Sequence, residues 1–198
     1  MIFFMFTEEN RFSNALKSIA RNQEIKSYLQ NSKELFPLLL KGANRFVAGE
    51  TRAEGITRVT DLYNQGYQVS LEFIGENTTS EEECRHAKNE FKELIKELRN
   101  NQIRGTVSFD LSHIGMMISN SLAYSHLEEL AIAAQENNIQ LMISMEESEK
   151  IDNILSVYKD ISKLYSNVGI TLQVHLHRSL LDLKELLQMP GRIRLVKG

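Results

Sequence analysis

Thr106-Val107-Ser108-Phe109-Asp110 decides the fold. Side chains on a strand alternate between two faces, so Ser108, Asp110 and the following Ser112 fall on one of them. Four further segments read the same way: Val69–Ile74, Leu141–Ser144, Gly169–Gln173 and Ile193–Val196. Each is apolar and delivers polar residues near its C-terminal end. Helix-like stretches separate them, the pattern of parallel βαβ units. Repeated eight times, this pattern closes a β/α barrel. Five units are legible, so the expected fold is α/β, an incomplete TIM-like (β/α) barrel behind an N-terminal helical region. The ending Arg194-Leu195-Val196-Lys197-Gly198 is read as leaving the closing strands absent.

Residues 1–48 read as the helical region, and residues 49–198 as the partial barrel with about five of eight units. Phe12, Leu16, Ile19 and Ala20 recur at helical spacing, and Pro37 and Gly42 punctuate the segment. Thr51 with Glu54 forms a capping box that opens a helix ending near Gly66. Ser80 with Glu83 forms a second box. Ala87, Phe91, Leu94, Ile95 and Leu98 then give the next helix one apolar face. Leu127, Leu130, Ala131 and Ala134 mark another helix. Ile151, Ile154, Leu155, Tyr158, Ile161 and Leu164 mark a third. Ser179 and Asp182 are expected to cap a short last helix that Pro190-Gly191 ends.

Twenty-three basic against 26 acidic residues leave a net charge of −3 and no basic patch, which excludes a nucleic-acid binder. Cys84 is the single cysteine, so no internal disulfide forms, and a reducing cytoplasm is the simplest setting. Cys84 lies on a helix's apolar side and reads as core. Met1-Ile2-Phe3-Phe4-Met5-Phe6 is too short to span a bilayer and lacks a signal peptide's basic flank. It is read as packing on the protein, with a peripheral membrane or partner contact as the lesser expectation.

In β/α barrels the working groups stand at the C-terminal ends of the strands. Here that rim offers Glu72 and Glu76, then Ser108, Asp110 and Ser112, then Ser144 and Glu146. The last two strands add Thr171, Gln173, His175 and His177, then Arg192, Arg194 and Lys197. Burying such groups unpaired in a dry interior costs several kcal/mol each, so a shared rim points to a polar site. One such residue alone reads as a structural salt bridge; the series on successive strands favours a site. His175 and His177, with Glu146 or Asp110, permit a weak metal reading.

At these residues the chain resembles the proline dehydrogenase family of FAD-dependent β/α-barrel enzymes. The resemblance rests on Arg45-Phe46-Val47-Ala48-Gly49, Leu71-Glu72-Phe73-Ile74-Gly75-Glu76, Val107-Ser108 with Ile114-Gly115, Ile143-Ser144-Met145-Glu146, Leu172-Gln173 with Arg178, and Arg194-Leu195-Val196-Lys197-Gly198. It implies that Gln173 hydrogen-bonds the flavin and that Arg194 sits near its N5, where hydride arrives. It also implies that Lys197 belongs to the cofactor-binding segment. A cation there stabilises the electron-rich reduced flavin. The implied activity is oxidation of L-proline to 1-pyrroline-5-carboxylate, with a quinone reoxidising the cofactor. The family usually carries lysine where Asp110 stands and aspartate where Ser144 stands, and both positions line the substrate site. Two other readings stay open: a non-catalytic or substrate-shifted paralogue, and a metal-dependent barrel hydrolase using His175 and His177. An exposed strand edge in an open sheet adds self-association to the expectations.

Overall fold

The structure, a computed structural model, describes residues 11–12, 15–16, 18–19, 22–44 and 46–197. The Met1–Phe6 run, Ala20, Arg45 and Gly198 lie outside the described residues. The chain divides into two compact units, residues 1–49 and 50–198.

In the first unit, Phe12, Leu16 and Ile19 are helical and exposed. Helix α1 spans Gln23–Asn31. Asn22 caps it by accepting the amide hydrogens of Glu24 and Ile25 at 2.9 and 3.1 Å. Helix α2, Leu35–Ala43, buries none of its residues.

The second unit opens with α3, Arg52–Asn64. The Thr51–Glu54 capping box forms reciprocally there, as the residue types require. A β/α series follows: β1 (Ser70–Glu72), α4 (Glu81–Asn100), β2 (Thr106–Phe109), α5 (Asn120–Glu136) and β3 (Gln140–Ile143). It continues through a 3-10 turn (Ser148–Lys150) to α6 (Ile151–Ser162), β4 (Val168–Gln173), α7 (Ser179–Leu186) and β5 (Ile193–Val196). All four strand pairings are parallel, and spatial order equals chain order, β1-β2-β3-β4-β5. The sheet stays open, with β1 and β5 as its edges.

The register sorts the strand residues into two faces. Leu71, Val107, Phe109, Leu141, Ile143, Val168, Ile170 and Leu172 form the buried face under the helices. Helix α4 lays Cys84, Ala87, Phe91, Leu94, Ile95 and Leu98 into the same core. Full burial of one such aliphatic or aromatic side chain contributes about 1.5–3 kcal/mol. The opposite face carries Ser70, Glu72, Ser108, Gln140, Met142, Thr171, Gln173 and Arg194. The fold is therefore a partial, open β/α barrel with a helix-covered side and a polar side.

Four expectations need correction. Strand β1 stops at Glu72 rather than Ile74, because Phe73 turns into a cluster with Phe91 and His113 while Ile74 is exposed. Leu164 lies beyond the end of α6 and is exposed. Ser179 and Asp182 do not cap α7: the Ser179 hydroxyl donates instead to the Gln173 carbonyl, and Asp182 pairs with Arg178. Ser179 is the first residue inside the helix and Arg178 holds the cap position, so the Ser179 hydroxyl is left to serve the backbone acceptor at the end of β4. Finally, Ser112 and His175 are not strand residues, because β2 ends at Phe109 and β4 at Gln173. Cys84 is fully buried, and burial pushes its thiol pKa up. Among the described residues no helix is long and apolar enough to cross a membrane.

Candidate active site

Arg194 is held on the polar face of β5, directly opposite Thr171 in the register. Its Nε donates to Thr171 Oγ1 at 3.0 Å, and one terminal nitrogen donates to Ser108 Oγ at 3.3 Å. Ser108 and Thr171 are buried. The Ser70 hydroxyl lies 2.9 Å from that of Ser108. Gln173 follows Thr171 on the same face, at the end of β4 opposite Val196. Lys197 is exposed just beyond β5, and its carbonyl accepts a hydrogen bond from His175 Nδ1 at 2.8 Å. Thus Gln173, Arg194 and Lys197 stand at the C-terminal ends of two paired strands.

Asp110 and Ser144 stand one residue past the ends of β2 and β3, both partly buried. The Ser144 amide donates to the Phe109 carbonyl at 2.9 Å, which keeps the two strand ends in step. Burial raises the Asp110 carboxyl to a pKa of about 7, and the negative charges of Glu146, Glu72 and Glu76 add to the rise. Lys150 pulls it the other way. Partial desolvation also holds the Glu72 carboxyl above the ordinary range, and Arg194 draws it back down.

Glu146 is buried, and its role is architectural. One oxygen accepts the Ser112 amide hydrogen at 3.0 Å, and the other meets Lys150 Nζ at 2.7 Å. Lys150 also reaches Glu147 at 2.8 Å and Asn77 at 2.5 Å. Ser112 Oγ accepts from the Asn77 amide, whose residue adopts φ 56°. Three rim loops are thereby tied to one ammonium group. The pattern of polar strand ends foretold Glu146 and Ser112 but not Lys150, which closes the 3-10 turn after β3. A lysine four residues after a rim carboxylate is the only signal that marks it. His113 fills the space above Gly75, where a Cβ would run into the imidazole ring. This glycine keeps the loop after β1 close to β2.

His175 and His177 are exposed and do not converge with Glu146 or Asp110. Among the described residues no group of three or more His, Cys, Asp and Glu is placed to hold a metal. Arg178 is committed to Asp182 and Asp152, each at 2.7 Å.

Residues 55–198 match the family profile of proline dehydrogenase. The chain belongs to the proline dehydrogenase family. It is 30% identical over 157 residues to proline dehydrogenase 1 of Bacillus subtilis subsp. natto, covering 79% of this chain and 52% of that protein. It is 29% identical over 161 residues to the proline dehydrogenase of Deinococcus radiodurans, with the same coverage of 79% and 52%. The chain spans about half the length of the curated relatives it matches. Among solved structures, proline utilization A (PutA) from Bdellovibrio bacteriovorus, inactivated by N-propargylglycine, superposes with a TM-score of 0.74 at 22% identity. That match covers 81% of this chain and 20% of the other. Proline utilization A from Bradyrhizobium japonicum superposes with a TM-score of 0.63 at 17% identity, covering 84% and 20%. These superpositions establish the fold of this proline dehydrogenase family member.

Proposed function

We propose that this proline dehydrogenase family chain serves the FAD-dependent oxidation of L-proline to 1-pyrroline-5-carboxylate in proline catabolism. Residues 49–198 carry the chemistry in this reading, preceded along the chain by the unit that holds α1 and α2. The observation that carries this reading is the placement of Arg194 beside Gln173 on the polar face. The donor set fits a flavin: a fixed cation, an amide that both donates and accepts, and Lys197 one step beyond. Bound FAD would take the hydride leaving the carbon next to the ring nitrogen. Arg194 holds positive charge at the sheet face, where an electron-rich ring is stabilised. Gln173 orients the ring by hydrogen bonding, and Lys197 offers charge to the phosphates. A quinone is the proposed electron acceptor, and the setting is the cytoplasm or the membrane periphery.

Titration of FAD with the purified chain tests the cofactor reading. Weak binding is expected, with Kd above about 1 μM, because few contacts hold the cofactor on an open sheet. Gln173→Ala and Arg194→Ala should each weaken it further. No quenching of flavin fluorescence at any protein concentration would overturn the assignment.

Asp110 and Ser144 bear on substrate choice. Asp110 sits among Glu72, Glu76 and Glu146, and the nearby Lys150 is already engaged. A substrate carboxylate meets net negative charge there. The double change Asp110→Lys with Ser144→Asp should therefore speed flavin bleaching by low concentrations of proline. About tenfold, or roughly 1.4 kcal/mol, is expected for restoring one charge interaction. Equal rates in the parent and the double variant would remove these two positions from substrate selection.

A further inference from the structure

Arg194 is fixed by hydroxyls rather than by carboxylates. Thr171 Oγ1 accepts from Nε at 3.0 Å, and Ser108 Oγ accepts from a terminal nitrogen at 3.3 Å. Ser70 Oγ backs Ser108 at 2.9 Å. The two direct acceptors come from β4 and β2 and the backing hydroxyl from β1, so the β5 side chain reaches over the polar face as far as β2. Both direct acceptors are buried, with Ser108 2% and Thr171 3% exposed. Among the described residues Arg194 has no carboxylate within ion-pair distance, whereas Arg52 has one and Arg178 has two.

The difference matters electrostatically. A carboxylate partner would orient the guanidinium and cancel much of its field. A neutral hydroxyl orients it through charge-assisted hydrogen bonding and leaves its full charge. Nearby Glu72 attracts it only at longer range. Two side acceptors also set the plane of the guanidinium fork, which one contact cannot do. We infer that Ser108 and Thr171, with Ser70 behind, are positioning residues that hold Arg194 at a set angle with its charge uncommitted for an electron-rich ligand. The inference rests on the proposed flavin role of Arg194 for its purpose, but the hydroxyl cradle can be tested separately.

The test uses the full 198-residue chain without cofactor, then with FAD. The Arg194 Nε–H resonance is identified by its disappearance in Arg194→Lys, and its exchange with water is measured by NMR. In the parent it should exchange more slowly than that of an exposed arginine. Thr171→Val keeps the shape and removes the acceptor, and should speed exchange by on the order of tenfold, the worth of one hydrogen bond. Thr171→Ser restores the hydroxyl and should return the slow rate. Ser108→Ala is a second, independent removal. Unchanged exchange in both Thr171→Val and Ser108→Ala overturns the cradle.

FAD titrations of the same proteins follow. Thr171→Val should raise the FAD Kd by roughly threefold to tenfold, and Thr171→Ser should recover it. An altered exchange rate with an unaltered Kd would make the cradle merely structural and overturn the positioning role. If the parent itself binds no FAD, the flavin reading fails, while the exchange data still decide whether the hydroxyls set Arg194.

Discussion

Gly191→Ala should destabilise the β/α unit by about 4 kcal/mol and release β5 from the sheet. Gly191 adopts φ 107°, a left-handed conformation that an alanine enters only with strain. Space is the second obstacle. A Cβ there would run into the Val168 carbonyl and come within 2.7 Å of the Tyr158 hydroxyl. Tyr158 is itself anchored, donating to the Pro190 carbonyl at 3.1 Å. The Val168 carbonyl belongs to the first residue of β4, so relief of the clash moves the entry of β5 away from its partner. Gly66 supplies the comparison, because it has φ 90° but no atom within 4 Å of an added Cβ. Gly66→Ala should cost only about 1 kcal/mol. Urea unfolding of the two variants measures the contrast. Hydrogen exchange should show faster loss at the Ile170 and Val174 amides, which donate to Arg192, just before β5, and to Val196, its last residue. Similar destabilisation by the two alanines would mean that Gly191 is needed only for its backbone angle.

Asp110→Asn is expected to stabilise the chain at pH 8 and to do little at pH 4. The folded carboxyl has a pKa of about 7 against an ordinary value of 3.8. Between these values the folded chain keeps a proton that the unfolded chain has lost. Stability attributable to this group therefore falls as pH rises from about 4 to 7 and stays low above. Three pKa units correspond to at most about 4 kcal/mol. Because Asp110 is only partly buried, about 2 kcal/mol is expected after solvent screening. For a chain of this length that is about 6 °C in melting temperature. Thermal melts of both proteins at pH 4 and pH 8 decide the matter. A constant difference across that range would show that charge is not the cause. A carboxyl that weakens the fold at neutral pH is the kind of residue found at a working site.

Strands β2 to β5 were legible to within a residue: β2, β3 and β4 show apolar positions spaced for one buried face, and β5 shows the same spacing at Ile193 and Leu195 although it buries neither. Strand β1 was overestimated, since an edge strand has one partner and nothing holds Phe73 and Ile74 in line. The caps at Thr51 and Ser80 were readable because each depends on residues three apart, although at Ser80 only the hydroxyl half of the expected box forms. The role of Ser179 was not, because the Gln173 carbonyl to which its hydroxyl donates comes from the end of the preceding strand. Arg194 could be assigned to the polar face from parity alone. Its acceptors could not, as Ser108 lies 86 positions earlier in the chain. The Lys150 junction was hidden for the same reason: Asn77, Ser112 and Glu146 come together only when three loops meet.

Because spatial order equals chain order in the sheet, each strand finds its neighbour already made when it leaves the ribosome. No strand waits for a later one to be inserted beside it, so assembly proceeds as accretion at one growing edge, with each closing loop only as long as one β/α unit. Within this series β5 is the last to dock, and with it comes Arg194. A nascent chain thus builds its hydroxyl acceptors first and receives the charge they hold at the end.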